Sequence, residues 1–276
     1  MEDYSLQIQA FITKKYNVYM NALKNNERLY FEDVQIPILI INTYFNNQDL
    51  MLANTPAIAN LFKKLYLVNE DFLEGHSKEE KKGLSKMYDF IENYNSDKIF
   101  FEIFFRLHQE LFSESPYPEF AGKYREVNVM VTATDNFGSV DYHDIPNEMS
   151  KLRPLFNEII ALSKEEDMNV FEYIDAAVKL ASHIIYIQPF MDGNKRTSRG
   201  LLNLLFKKVG LPPVYVDFDD KDAYLLALEK AENEGDYTYL NNFYYYRIGA
   251  AIVELGLIPK ELRIEYSETE EAKKSL

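Results

Sequence analysis

Phe171, Ile174, Val178, Ala181 and Ile185 recur at steps of three and four, and the run stops at Gln188 and Pro189. That spacing lines five apolar side chains along one stripe, which a helix has to bury against other elements. Pro189 ends the helix, because its ring clashes with the preceding turn and its nitrogen carries no proton to donate. Gly193 lets the backbone turn tightly and approach a ligand, Asn194 is a good N-cap, and Lys195 through Leu205 reads as a second helix. The chain is thus committed to a core helix, a short loop and a second core helix.

The residues of that loop make it a place for an anion. N–H groups without intrahelical partners and the positive end of the dipole point out of a helix start. Arg196 and Arg199, three apart, share a face above it. Guanidinium forks match phosphate oxygens in pairs. Asp192, beside these cations, suits a polyphosphate site if it holds a divalent cation, since Mg²⁺ commonly takes one carboxylate plus substrate phosphates. A plain connecting loop, with Asp192 and Asn194 as competing caps and both arginines paired at the surface, would leave the coincidence of these residues unexplained.

The rest of the chain is read as helical almost throughout. Ile99 to Phe112 is apolar nearly all round, as expected of a central helix, and it is too short and too charged to cross a membrane. The β signal lies at Val127 to Val140, rich in Val and Thr with a turn at Asp135, Asn136 and Gly138, and reads as a hairpin. Asp144 with Pro146 opens a further helix toward Ile160. Asp217, Asp219, Asp220 and Asp222 lack the glycine and glutamate of a calcium loop and read as a solvated turn before a helix from Ala223. Upstream, breaks are expected near Pro37, Pro56 and Gly75, and a frayed polar tail from about Ser267.

Composition narrows the function classes. The 276 residues can bury one sizeable core with a helical extension, and a net charge of −14 argues against a nucleic-acid partner. With no cysteine there are no disulfides, thiolate metal sites or Cys nucleophiles. The N-terminus has no leader pattern and no window approaches a membrane span. A soluble, cytoplasmic protein is expected, with specialised export as an effector left open.

The segment Gln188 to Arg199 resembles the signature of the Fic (filamentation induced by cAMP) family, H x F x D/E A/G N G/K R x x R. Seven of eight defined positions match, at Phe190, Asp192, Gly193, Asn194, Lys195, Arg196 and Arg199. Gln188 stands where the family has its histidine. The resemblance implies a mainly α fold with a small β-hairpin, the flap, and an N-terminal helical extension. It implies ATP and Mg²⁺ as cofactors, AMP transfer to a Ser, Thr or Tyr hydroxyl of a target protein, Asp192 as the metal residue, and Asn194 and Arg196 as catalytic. Phe190, Gly193, Asn194, Lys195, Arg196 and Arg199 would bind the nucleotide. Ala121 to Arg125, before Val127 to Val140, is similar to the family's turn into the flap, which adds an extended piece of the target as a strand. The likeness implies residues 1–94 as the extension, 95–250 as the core and 251–276 as the helix end and tail. Glu74 and Gly75 are similar to the end of the family's inhibitory pattern, S/T xxx E G/N, although Glu70 stands where Ser or Thr is usual. In that pattern the glutamate pairs with the second signature arginine.

In the family the histidine is the general base, and glutamine cannot take its place by titrating. His183 lies five residues before Gln188 on the same helix, about 140° round from it, and so faces elsewhere. His143, after the flap, is read as a solvated loop residue, and neither His108 nor His76 has an argument as a base. Three readings follow: an attenuated adenylyltransferase, a pseudoenzyme that binds nucleotide or a partner, and, because Lys195 is accepted in Doc-like members, a phosphotransferase.

Overall fold

The structure is a computed structural model that describes residues 14, 16–25, 27, 31–47, 60, 63–70, 77–129 and 139–257, with the side chains of 31–34 and 218 excepted. Its helices are α1 (16–24), α2 (Phe31–Phe45), α3 (63–70), α4 (Lys78–Asn93), α5 (Ile103–Phe112), α6 (Ile145–Lys151), α7 (Arg153–Leu162), α8 (Val170–Ile187), α9 (Asn194–Lys208), α10 (Lys221–Glu229) and α11 (Thr238–Glu254). No strand forms among the described residues, so the fold is mainly α as expected.

The helix before the loop behaves as its apolar stripe requires. Ile174, Val178, Ala181 and Ile185 of α8 are buried, and Phe171 packs against the same core. Asn169 caps its start, accepting from the N–H groups of Phe171 at 3.1 Å and Glu172 at 3.4 Å. Helix α9 is buried along most of its length, lying against α8, α5 and α4. These helices surround the loop from Gln188 to Gly193.

Several boundaries differ from the sequence reading; the helix expected from Ala223, for instance, starts at Lys221. The central helix begins at Ile103 instead of Ile99, after Phe100 to Glu102 turn the chain by tight bonds such as Ile103 N–H to the Phe100 carbonyl at 2.9 Å. The segment toward Ile160 is two helices, because Pro154 cannot donate to the Ser150 carbonyl and the helix restarts at Arg153. Helix α2 runs through Pro37, where a break was expected. At Pro37 it crosses α11 closely: a Cβ on Gly249 would lie 3.5 Å from the Pro37 Cα. The N-terminal helices therefore pack directly on the closing helix.

The turn of the expected hairpin, residues 130–138, lies outside the described residues. The two chain ends that flank it converge, with the Ser139 hydroxyl donating to the Val129 carbonyl at 3.2 Å.

Candidate functional site

Gln188 caps the C-terminus of the stripe helix, just after Ile187, and takes the left-handed conformation, φ 51°, alone among described non-glycine residues. Its N–H donates to the Ile184 carbonyl at 3.2 Å, closing the final turn. Its carboxamide is turned inward: Nε2 donates to the Ile185 carbonyl at 2.8 Å and Oε1 accepts from Asn194 Nδ2 at 2.9 Å. The side chain is a strut between the end of one helix and the start of the next.

Asn194 is the first residue of α9, not its cap, and Gly193 occupies the cap position with φ 75°. The Asn194 side chain loops back instead, accepting from Phe190 N–H at 2.8 Å and donating to the Phe190 carbonyl at 3.0 Å. Only glycine suits position 193 on two counts. A left-handed residue with a side chain is strained, and a Cβ there would lie 2.6 Å from the Phe112 ring. Intrahelical bonding begins with Thr197 N–H to the Gly193 carbonyl at 2.9 Å, so the N–H groups of Asn194, Lys195 and Arg196 lie ahead of the first bond of the helix.

The charged residues gather at this helix start. Asp192 is exposed at 63%, its Oδ1 accepting from Gly193 N–H at 2.6 Å and its Oδ2 from Arg196 at 3.0 Å. Arg196 is buried over the Phe112 ring and also reaches Glu80 at 3.4 Å. Glu80 in turn completes the capping box of α4 with Ser77. Arg199 lies deeper, 4% exposed, and its Nε and Nη2 donate to both carboxylate oxygens of the fully buried Glu70 at 2.6 and 2.5 Å. Tyr66, Tyr224 and Tyr244 surround this pair, and burial pushes all three phenols upward.

Glu74 falls outside the described residues; Glu70, four residues earlier, holds the second arginine. Tyr66, not Ser or Thr, stands four before Glu70, and Asp71, not Gly or Asn, follows it, so the expected pattern is not kept there.

Two residues outside the signature, His108 and Arg125, organise the loop from below. His108 of α5 is fully buried, stacked against Phe190 at 3.7 Å and Phe112 at 4.4 Å between centroids. Burial lowers its pKa to about 4. Arg125, buried after the turn at Gly122, donates from Nε to the Gln188 carbonyl at 2.7 Å and from Nη1 to the Val127 carbonyl at 2.8 Å, and its Nη2 bonds the Val140 carbonyl. It ties both ends of the flap to the end of α8. The other histidines stand apart: His143 pairs with Asp141 at 2.8 Å and is exposed, while His183 contacts Glu232 at 3.2 Å away from the loop.

No group of three or more His, Cys, Asp and Glu side chains suited to a metal occurs among the described residues. A single exposed carboxylate at a helix start still fits Mg²⁺ carried in with phosphates, which needs only one or two protein ligands. Among the described residues no helix is long and apolar enough to cross a membrane.

The arrangement defines a helical domain built round a short loop between two core helices, the second of which opens with two buried arginines. In comparison with known proteins, residues 98–206 match the model of the Fic/DOC family. A protein adenylyltransferase Fic of Nematostella vectensis is 32% identical over 141 residues, covering 51% of this chain and 30% of that protein. A protein adenylyltransferase Fic of Aedes aegypti is 33% identical over 92 residues, covering 33% of this chain and 18% of that protein. The aligned regions thus span less than a third of these relatives. Among solved structures, Fic-1 (residues 134–508) of C. elegans aligns with a TM-score of 0.51 at 19% identity, covering 91% of this chain and 71% of that one. A Fic domain-containing signaling protein of Bacteroides thetaiotaomicron aligns with a TM-score of 0.50 at 19% identity, covering 88% and 93%. At such identities these two structures establish the fold alone.

Proposed function

We propose that this chain is a Fic-type protein adenylyltransferase in a resting, attenuated form: a site for Mg²⁺ and ATP that lacks a general base. The observation that carries the reading is the pair of buried arginines at the start of α9, each held by a carboxylate, Arg199 by Glu70 and Arg196 by Asp192 and Glu80. Buried guanidinium groups are costly unless paired. Carboxylates from the upstream segment therefore stand in for the phosphate oxygens that the same forks would otherwise grip.

In this reading Arg196 and Arg199 bind the polyphosphate, and the first N–H groups of α9 add the positive end of its dipole. Asp192 holds the metal, which when bound neutralises phosphate charge. The flap that follows Arg125 positions a target hydroxyl. Glu70 takes the inhibitory role that the resemblance gave to Glu74: while it occupies Arg199, the nucleotide cannot.

The step this chain is poorly equipped for is proton removal. Gln188 has no titratable group, and its carboxamide is engaged with Ile185 and Asn194. A missing general base costs roughly 10² to 10⁴ in rate. That inward engagement favours a second reading, a pseudoenzyme that binds nucleotide and transfers nothing.

Incubation with α- or γ-labelled ATP, Mg²⁺ and cell lysate tests these readings. Slow labelling of protein from the α position supports adenylyl transfer, and labelling from γ alone supports the Doc-like phosphotransfer. Calorimetric binding of Mg·ATP without labelling supports the pseudoenzyme. Absence of both binding and labelling, in the wild type and in Glu70→Gln, overturns the nucleotide site.

A further inference from the structure

The face of α5 beneath the loop carries a group whose geometry goes beyond filling space. His108 is buried, yet both ring nitrogens are in hydrogen bonds to backbone on opposite sides. Nδ1 accepts from Gly122 N–H at 2.8 Å, which leaves the ring proton on Nε2. Nε2 therefore donates to the Asp192 carbonyl at 3.0 Å. The ring is clamped between Phe190 and Phe112, so both bonds have a fixed direction.

The consequences fall on the peptide between Asp192 and Gly193. Its carbonyl is held onto His108, while the Asp192 carboxylate is 63% exposed and Gly193 takes its left-handed turn into α9. Held this way, the peptide fixes the exposed Asp192 carboxylate just ahead of the start of α9. A peptide free to rotate would lose that alignment. The Gly122 bond fixes the turn that leads to Arg125 and the flap ends.

We propose that His108 is a positioning residue for the nucleotide site, holding the Asp192 carbonyl so that the Asp192 carboxylate and the start of α9 face the phosphates. The proposal rests on the reading of this loop as a nucleotide site. His108 touches neither metal nor nucleotide and acts through Asp192.

Two substitutions separate its hydrogen bonds. His108→Gln can place an amide N–H where Nε2 stands and keep the Asp192 contact, whereas His108→Asn can place a carbonyl where Nδ1 stands and keep the Gly122 contact. Both lose the stacked ring, so both lower the melting temperature. Affinity for Mg·ATP is measured by calorimetry in a Glu70→Gln background, alongside the amide NMR shifts of Gly122 and Gly193. The expected result is binding by His108→Gln close to the parent and by His108→Asn roughly tenfold weaker, the loss of one buried hydrogen bond. Equal affinities for the two variants overturn the proposal, since a purely space-filling histidine would give that result. Absence of binding by the parent and both variants overturns the nucleotide reading itself.

Discussion

Glu70→Gln should make the protein less stable alone and more receptive to ATP. Glu70 is fully buried and gives both carboxylate oxygens to Arg199, itself 4% exposed. Replacing the carboxylate with an amide keeps the shape and one acceptor but leaves the guanidinium charge without a counter-charge. Breaking a buried pair from one side costs about 3 to 5 kcal/mol. Because the amide oxygen still accepts, the lower end is expected, a fall of roughly 6 to 10 °C in melting temperature for a chain of this size. The freed fork should then bind phosphate. Charge-assisted hydrogen bonds contribute about 1.5 to 3 kcal/mol, so Mg·ATP affinity should rise roughly 10- to 150-fold. Thermal melts with and without Mg·ATP, with calorimetric titration, read both effects. Restoration of much of the lost melting temperature by saturating nucleotide is the expected signature. A variant that melts early and binds ATP no better than the wild type would refute the idea that Glu70 occupies a phosphate site.

Other perturbations follow from the same geometry. Glu80→Gln should weaken the α4 capping box and its reach to Arg196 by about 1 kcal/mol, with a smaller gain in ATP affinity than Glu70→Gln, because Arg196 keeps Asp192; parallel titrations compare the two. Gly193→Ala should cost about 2 to 4 kcal/mol in urea unfolding, from left-handed strain and from a Cβ placed 2.6 Å from the Phe112 ring. His108 is held neutral by burial, with a folded pKa near 4 against about 6.5 unfolded. Its contribution is therefore fully present above pH 6.5 and is lost as pH falls toward 4, about 3 kcal/mol in all. His108→Gln should flatten the stability profile by that amount across that window, as measured by denaturant unfolding at each pH.

The loop and its flanking helices were legible because their signals are local. A stripe of five apolar residues, a proline, a glycine and two arginines at fixed spacing dictate a helix, a turn and a charged helix start whatever surrounds them. What sequence could not supply was pairing across the fold. Glu70 lies 129 positions from Arg199, and nothing in its immediate sequence marks it as the residue that reaches the arginine; Glu74, with its following glycine, looked the better candidate. His108 sat in an apolar run and carried no motif, so its bonds to Gly122 and Asp192 became visible only once the helix was placed under the loop. Gln188 was read as a missing base, whereas its inward bonds to Ile185 and Asn194 make it a structural cap as well. The restart at Arg153 is encoded in Pro154, inside the stretch that reads from sequence as one helix toward Ile160.

In the function proposed above, the phosphate-binding half of the site is intact and only the base is missing. It is tested most directly by the rate of α-labelled AMP incorporation into protein in the Glu70→Gln background, with Gln188 retained or changed to His. Histidine tolerates the left-handed conformation of position 188 better than most residues, so the loop should survive the change. Labelling should rise by about 10² to 10⁴ with the histidine in place. Equal labelling with glutamine and histidine, or none with either, would contradict it.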